Sequence, residues 1–129
     1  MPEVVLDASA ILAVLFREAG GERVAAHLPG ALVSTVNLAE TITKLCEHGM
    51  SAEDAEKAVS ELHLSAVQFS AAQARVVGAL RASTKAAGLS LGDRACLALG
   101  IERQAPIITA DRVWLSITAT DWPEIILIR

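Results

Sequence analysis

The sequence predicts a single α/β domain, an α/β/α sandwich with a mostly parallel central sheet. Short apolar runs alternate along the chain with longer helical patterns, which is the order that parallel sheets require. No repeat, low-complexity tract or linker divides the 129 residues, so we expect one domain over residues 1–129. The hydrophobic content of 53% with only 3% aromatic residues indicates an aliphatic core.

The first half of the chain opens with an apolar strand. Residues 4–6 are uniformly apolar, and residues 9–16 continue as a helix up to a Gly-Gly pair. A second short helix then ends near His27, and a Pro-Gly turn leads into a strand over residues 31–34. Residues 35–48 have helical periodicity and are followed by glycine, a common helix stop.

Two further helices begin at residues with the spacing of a capping box. Ser51, three residues before an aspartate, opens a helix that extends to about His63. Residues 66–69 form a weaker strand, and Ser70, three residues before a glutamine, opens a helix to about Thr84.

The last third of the chain contains the most apolar helix. Residues 91–103 are apolar nearly all round, which predicts a buried helix. A proline precedes the strand at residues 107–109, and residues 125–128 form the last strand. The alternation of strands and helices is therefore maintained to the end of the chain.

Composition excludes several classes of protein. Asp7 and Arg17 interrupt the apolar runs well short of the roughly 18 residues of a membrane span, and the N-terminus lacks the basic start of a signal peptide. We expect a cytoplasmic protein without a membrane part. Cys46 and Cys96 have no CxxC spacing, so buried free thiols are expected. The few aromatic residues do not suffice for a base-stacking platform.

Four carboxylates are predicted to meet at one edge of the sheet. Asp7 directly follows the first strand, and Asp111 comes two residues after the strand at 107–109. Asp93 lies in the first turn of the helix that leads into that strand, and Glu40 lies little more than one turn into the helix after the second strand. Ligands of parallel sheets bind beyond the carboxyl ends of the strands, so this edge is the candidate site.

Each acid also has a structural interpretation. Asp7 and Asp111 are typical N-caps for the helices that follow them, and Ser90 with Asp93 has capping-box spacing. Glu40 falls on the polar side of its helix, as a solvated glutamate would. Capping does not explain why the acids converge, nor why Asp7 and Asp93 adjoin long apolar segments.

Four segments, "LDASAIL", "STVNLAE", "LSLGDRACLALG" and "ITADRVW", resemble in that order the PIN-domain nucleases, and in particular the VapC toxins of bacterial toxin–antitoxin pairs. The resemblance spans the whole chain and implies a single PIN-like nuclease domain. It matches four residues to the family's acidic site: Asp7, Glu40, Asp93 and Asp111. It also matches Ser9 and Thr109 to hydroxyl positions beside the first and last acids, and Arg94 fits the pattern of this subgroup.

A cluster of carboxylates suits hard cations such as Mg²⁺, or Mn²⁺ as a substitute, because these ions prefer oxygen ligands. One or two ions would activate a water for in-line attack on phosphorus, so no side-chain nucleophile is needed. The resemblance implies an Mg²⁺-dependent endoribonuclease, the toxin of a toxin–antitoxin pair. It further implies three partners: an RNA substrate, a cognate antitoxin and a second copy of the chain in a homodimer.

Other functions remain open. A metal-dependent phosphatase or a receiver-like domain would have the same α/β architecture and an acidic pocket. Against the phosphatase, "DASAI" lacks a second aspartate two residues after Asp7. Against the receiver, no lysine stands at the end of a strand at this edge. A PIN-like module that only binds a partner is a third alternative. The net charge of −4 is unusual for a nucleic-acid enzyme, yet without the four site acids the 15 acidic residues fall to 11, equal to the 11 Lys and Arg. Arg17, Arg94 and Arg112 are the candidates to add contacts to the phosphate of a substrate.

Overall fold

The computed structural model describes residues 2–117 and 122–129. Its centre is one sheet of five parallel strands in the order β3-β2-β1-β4-β5. The strands are β1 (Val5–Leu6), β2 (Leu32–Ser34), β3 (Ser65–Val67), β4 (Ile107–Thr109) and β5 (Ile125–Leu127). The predicted α/β sandwich is confirmed, and every strand pair in the sheet is parallel.

Six α-helices in the described part of the chain connect and cover the strands. They are α1 (Ala8–Leu15), α2 (Gly21–Ala25), α3 (Thr35–Glu47), α4 (Ala52–Ser60), α5 (Ala71–Thr84) and α6 (Leu91–Arg103). A short 3₁₀ helix, Arg112–Ser116, follows β4. Within residues 2–117 and 122–129, none of the helices is long and apolar enough to cross a membrane.

The sheet has an aliphatic core on each face because successive residues of a strand point to opposite sides. Leu6 and Ile108 pack with Ile11 of α1 on one face. Val5 and Ile107 pack on the other face against the buried side of α6 and the side chain of Trp114, among other residues. Both faces of the central strands are buried, as the apolar composition of the strands predicts.

The third strand begins and ends earlier than expected. The apolar pattern predicts a strand over residues 66–69, whereas β3 covers Ser65–Val67. The backbone N–H of Phe69 donates instead to the Thr35 hydroxyl at the start of α3, at 3.1 Å. A side chain on a neighbouring helix therefore ends the ladder, which no local pattern could indicate.

The topology brings three chain segments to the carboxyl edge of the sheet. β1 lies between β2 and β4, so the strand order reverses between β1 and β4. Parallel sheets bind ligands at such a switch point. α1 begins there directly after β1, α3 begins there after β2, and α6 begins there because it runs back to the start of β4. Arg17 follows the end of α1 and therefore lies towards the opposite edge, which removes it from the residues near the acids.

Candidate active site

Asp7 lies at the switch point with 4% of its surface exposed. Its backbone N–H continues the sheet by donating to the Ile108 carbonyl at 3.0 Å. Its side chain does not cap α1, contrary to the commonest role of an aspartate at a strand-to-helix turn. The carboxylate is instead held by two hydroxyls, through one of its oxygens.

Ser9 and Thr109 donate to the same oxygen, Oδ2 of Asp7, at 2.7 and 2.9 Å. Each hydroxyl is oriented by a backbone N–H that it accepts: Ser9 from Ala110 at 2.9 Å, and Thr109 from Asp111 at 3.0 Å. The two hydroxyl oxygens lie 3.2 Å apart, so the three groups form one hydrogen-bond network around Asp7. The hydroxyls thus hold the carboxylate through Oδ2 and leave Oδ1 without a hydrogen bond among the described residues.

Burial raises the pKa of Asp7 to about 6 from an ordinary 3.8. The hydrogen bonds from Ser9 and Thr109 lower the pKa, whereas the negative charges of Asp93 and Glu40 raise it further. These two acids therefore lie close enough to Asp7 to repel its charge. Three of the four predicted acids therefore interact electrostatically at this edge of the sheet.

Glu40 is half-buried and does not extend into solvent as its helical pattern suggests. Its carboxylate lies against Gly92 in the first turn of α6, where a Cβ on residue 92 would overlap it. Asn37, one turn earlier on α3, donates to Oε1 of Glu40 at 2.8 Å. The carboxylate is therefore held between two helix N-termini.

Asp93 forms the capping box that its spacing with Ser90 predicts. The Asp93 backbone N–H donates to the Ser90 hydroxyl at 3.1 Å, and the Ser90 backbone N–H donates to Oδ2 of Asp93 at 2.9 Å. The structural interpretation of Asp93 is thus correct, but it does not exclude a second role. The cap uses Oδ2, and the charge still acts on Asp7.

Asp111 lies at the same edge but is exposed. Its Oδ1 accepts the Val113 backbone N–H at 3.0 Å and so caps the 3₁₀ helix. Its charge is not among those that raise the pKa of Asp7. Asp111 is therefore an exposed acid at the rim of this edge, joined to Asp7 through the Thr109 hydroxyl, which accepts the Asp111 backbone N–H and donates to Asp7.

The two remaining arginines near the acids in sequence contact backbone carbonyls. Arg94 is half-buried and donates to the Val77 carbonyl of α5 at 3.0 Å. Arg112 donates to the Arg129 carbonyl at 3.2 Å. None of the ion pairs in residues 2–117 and 122–129 includes a site acid. No basic side chain among the described residues therefore forms an ion pair that neutralises these carboxylates.

In the part of the chain that the structure describes, no three acidic, histidine or cysteine side chains are placed closely enough to hold a metal ion. The chemistry of the donors nevertheless fits a hard divalent cation. The charges of Glu40 and Asp93 act on Asp7, none of the three acids is in an ion pair among the described residues, and Asp7 keeps one oxygen free of hydrogen bonds there. Oxygen donors with excess negative charge are what Mg²⁺ and Mn²⁺ require.

Two residues of the site are not among the predicted ones, although the sequence carries a signal for each. Asn37 is three residues before Glu40, and this helical spacing places the two side chains together. Gly92 lies in the first turn of a helix, where glycine is unfavourable unless another group needs the space. Cys96, one turn further, is the expected buried thiol, and burial raises its pKa well above its usual range. Cys46 is only half-buried.

Comparison with known proteins identifies the family. The model of the PIN domain family matches residues 4–119, and the chain belongs to this family. No curated protein matches the sequence.

Solved structures have the same fold at low sequence identity. A VapBC complex of Rickettsia felis bound to promoter DNA has a TM-score of 0.72 at 16% identity, over 95% of this chain and 96% of that one. DNA-bound VapBC of Salmonella typhimurium gives 0.72 at 19% identity, over 97% of each chain. A Mycobacterium tuberculosis VapC toxin that cleaves the sarcin–ricin loop gives 0.72 at 17% identity, over 90% of this chain and 96% of that one.

Proposed function

We propose that this chain is an Mg²⁺-dependent endoribonuclease that hydrolyses RNA phosphodiester bonds and acts as the toxin of a toxin–antitoxin pair. The observation that carries the proposal is the group of Asp7, Glu40 and Asp93, which lie at the switch point of a PIN domain without a countercharge among the described residues. Asp111, at the rim, is proposed as the fourth acid. Mn²⁺ is the expected substitute for Mg²⁺.

Different residues of the chain have different roles in the proposed reaction. Asp7, Glu40, Asp93 and Asp111 would hold a divalent ion, whose chemistry would be to activate a water and to neutralise charge on the phosphate oxygens. Ser9 and Thr109 hold Oδ2 of Asp7, and Oδ1, which has no hydrogen bond within the described residues, is the oxygen that would bind the ion. The capping box holds Asp93 on the first turn of α6. The protein thus supplies fixed oxygen ligands and no nucleophile of its own.

The alternative functions have less support. A metal-dependent phosphatase of this architecture would need a second aspartate two residues after Asp7, but Ser9 occupies that position and its hydroxyl donates to Asp7. A receiver-like site would need a lysine at the end of a strand at this edge, which the sequence lacks. A module that only binds a partner has no need for neighbouring carboxylates that repel one another. A metal-dependent nuclease does need neighbouring carboxylates, because the ion that they bind offsets the repulsion between their charges.

The proposed partners follow from the structural neighbours. Two of the neighbours described above are VapBC complexes, each bound to DNA, and another solved neighbour is a toxin–antitoxin complex from Klebsiella pneumoniae. We propose an antitoxin for this chain on that basis. A homodimer of the chain, the cytoplasm as its location and RNA as its substrate belong to the same proposal.

Single substitutions test the catalytic assignment. Asp7→Asn, Asp93→Asn and Asp111→Asn should each lower Mg²⁺-dependent RNA cleavage by at least about 100-fold, because each removes a charged ligand. Asp54→Asn is the matched control, because Asp54 donates its backbone N–H to the Ser51 cap of α4 as Asp93 does in α6. Gel assays with circular dichroism would measure both activity and fold. Full activity in any two of the three site variants contradicts the assignment.

The toxin role is tested with the same variants in bacteria. Expression of the wild type should arrest growth, and Asp93→Asn should not. Co-expression of the product of the neighbouring small gene should restore growth. A wild type that is harmless alone and binds no such product contradicts the toxin role, whatever the cleavage assay shows.

A further inference from the structure

Asn37 is completely buried at the contact between α3 and α6. Its amide nitrogen donates to Oε1 of Glu40 at 2.8 Å and to the Gly92 carbonyl at 3.0 Å. Both partners are acceptors, so the amide must present its nitrogen to them. The amide oxygen, Oδ1, then points away and is buried without a hydrogen-bond partner among the described residues.

This amide joins the two acidic helices. Glu40 is three residues after Asn37 on α3, and Asp93 is the residue after Gly92 on α6. One side chain therefore sets both the direction of the Glu40 carboxylate and the spacing between the helix turns that carry Glu40 and Asp93. It uses Oε1 of Glu40, and Oε2 has no hydrogen bond within residues 2–117 and 122–129.

Gly92, on α6, also determines where the Glu40 carboxylate can lie. A Cβ at this position would overlap the Glu40 carboxylate, so only glycine leaves the space that the carboxylate occupies. Asn37 and Gly92 thus act on the same group by independent means, one by a hydrogen bond and the other by the absence of a side chain.

Stability alone does not account for Asn37. A buried amide oxygen without a partner disfavours folding, and an apolar side chain of similar size would avoid that cost. The Gly92 carbonyl would still accept a bond within the helix, since it lies in the first turn of α6. The donor is needed only by the Glu40 carboxylate.

We infer that Asn37 is a positioning residue that, with Gly92, holds the Glu40 carboxylate in place to bind the divalent ion. This inference rests on the proposed function, because it assigns Asn37 a role toward the metal of that site. Positioning groups behind metal ligands typically change metal affinity by 10- to 100-fold.

The test measures Mn²⁺ affinity directly, by electron paramagnetic resonance or calorimetry on the intact protein. Asn37→Leu should weaken Mn²⁺ binding about 10- to 100-fold, and saturating Mn²⁺ should restore most of the RNA cleavage. Gly92→Ala should give the same result, because its Cβ displaces the same carboxylate. A fold defect would lower cleavage at every Mn²⁺ concentration.

Thr41→Val is the matched control. Thr41 is also completely buried on α3 and loses one hydrogen bond on substitution, from its hydroxyl to the Asn37 carbonyl at 2.8 Å, but its side chain has no hydrogen bond to an acid among the described residues. Its Mn²⁺ affinity should equal that of the wild type. Equal losses in Asn37→Leu and Thr41→Val contradict the inference.

A double-mutant cycle shows whether Asn37 acts through Glu40. In a Glu40→Gln background, Asn37→Leu should change Mn²⁺ affinity less than about 2-fold, because the carboxylate that it positions is already lost. The full 10- to 100-fold loss in that background contradicts the inference, as does wild-type affinity in both Asn37→Leu and Gly92→Ala. A wild type that binds no Mn²⁺ contradicts the proposed function and the inference together.

Discussion

Asp7 combines two opposing influences on one carboxylate. Burial and neighbouring acids favour the protonated form, whereas the two hydroxyls favour the charged form, and burial dominates. The outcome, a pKa of about 6, means that the metal-free site holds a proton below neutral pH. A cation and a proton therefore compete for the same group.

The raised pKa of Asp7 predicts how the stability of the metal-free protein depends on pH. The folded state binds the proton more tightly than the unfolded state, so stability from this group is fully present below about pH 4 and is lost as pH rises through about 6. The loss corresponds to about 3 kcal/mol. Asp7→Asn, which cannot titrate, should be more stable than the wild type at pH 8 in chelator, by up to that amount.

Urea unfolding at pH 4, 6 and 8 with chelator would measure this difference. The gain from Asp7→Asn should be large at pH 8 and small at pH 4, whereas Asp54→Asn should show no such trend. A gain that is independent of pH would mean that Asp7 is not protonated in the folded protein. Added Mn²⁺ should stabilise the wild type at pH 8 and the variant much less.

At the scale of elements, the N-terminus of α6 serves the helix and the site together. Its capping box satisfies backbone donors, and Asp93 also favours the positive end of the helix. The Asp93 carboxylate is held by the backbone N–H of Ser90, not by the serine side chain. The cap and the proposed metal ligand can therefore be separated by substitution.

Ser90→Ala and Asp93→Asn should have different effects. Ser90→Ala removes the hydroxyl cap and should destabilise the protein by about 1 kcal/mol, with Mn²⁺ affinity close to that of the wild type. Asp93→Asn keeps an oxygen for the Ser90 N–H but should abolish most of the Mn²⁺ response. Thermal melts with chelator and with Mn²⁺ distinguish them. An unchanged Mn²⁺ response in Asp93→Asn would make Asp93 a cap alone.

The order and type of these elements could be predicted because strand and helix periods are local properties of the sequence. Asp7 and Asp93 could be placed at one edge because the edge follows from the parallel topology. The burial of Glu40 could not, because its helical wheel considers only its own helix. The space that Glu40 occupies is made by Gly92 on another helix. Arg94 likewise contacts a carbonyl of α5, which its position beside Asp93 does not indicate.

For the whole molecule, charge determines how RNA can bind. The net charge is −4, and the acidic excess equals the four site acids. Among the described residues, Arg103 and Arg129 are in ion pairs with glutamates, and Arg112 contacts a backbone carbonyl. Because none of the ion pairs among the described residues includes a site acid, the metal-free site keeps its negative charge and repels a phosphate backbone.

RNA binding itself, and not only cleavage, should therefore require a divalent cation. Fluorescence anisotropy with a labelled single-stranded RNA should give no saturable binding in chelator, and binding in Ca²⁺, which also takes oxygen ligands. Because the ion rather than a basic surface attracts the phosphate, affinity should fall only slightly with monovalent salt, with a log–log slope of about −1 to −2. Tight binding in chelator with a steep slope would instead place the RNA on a basic surface away from the acids. In that event the acidic edge would not be where this protein recognises its substrate.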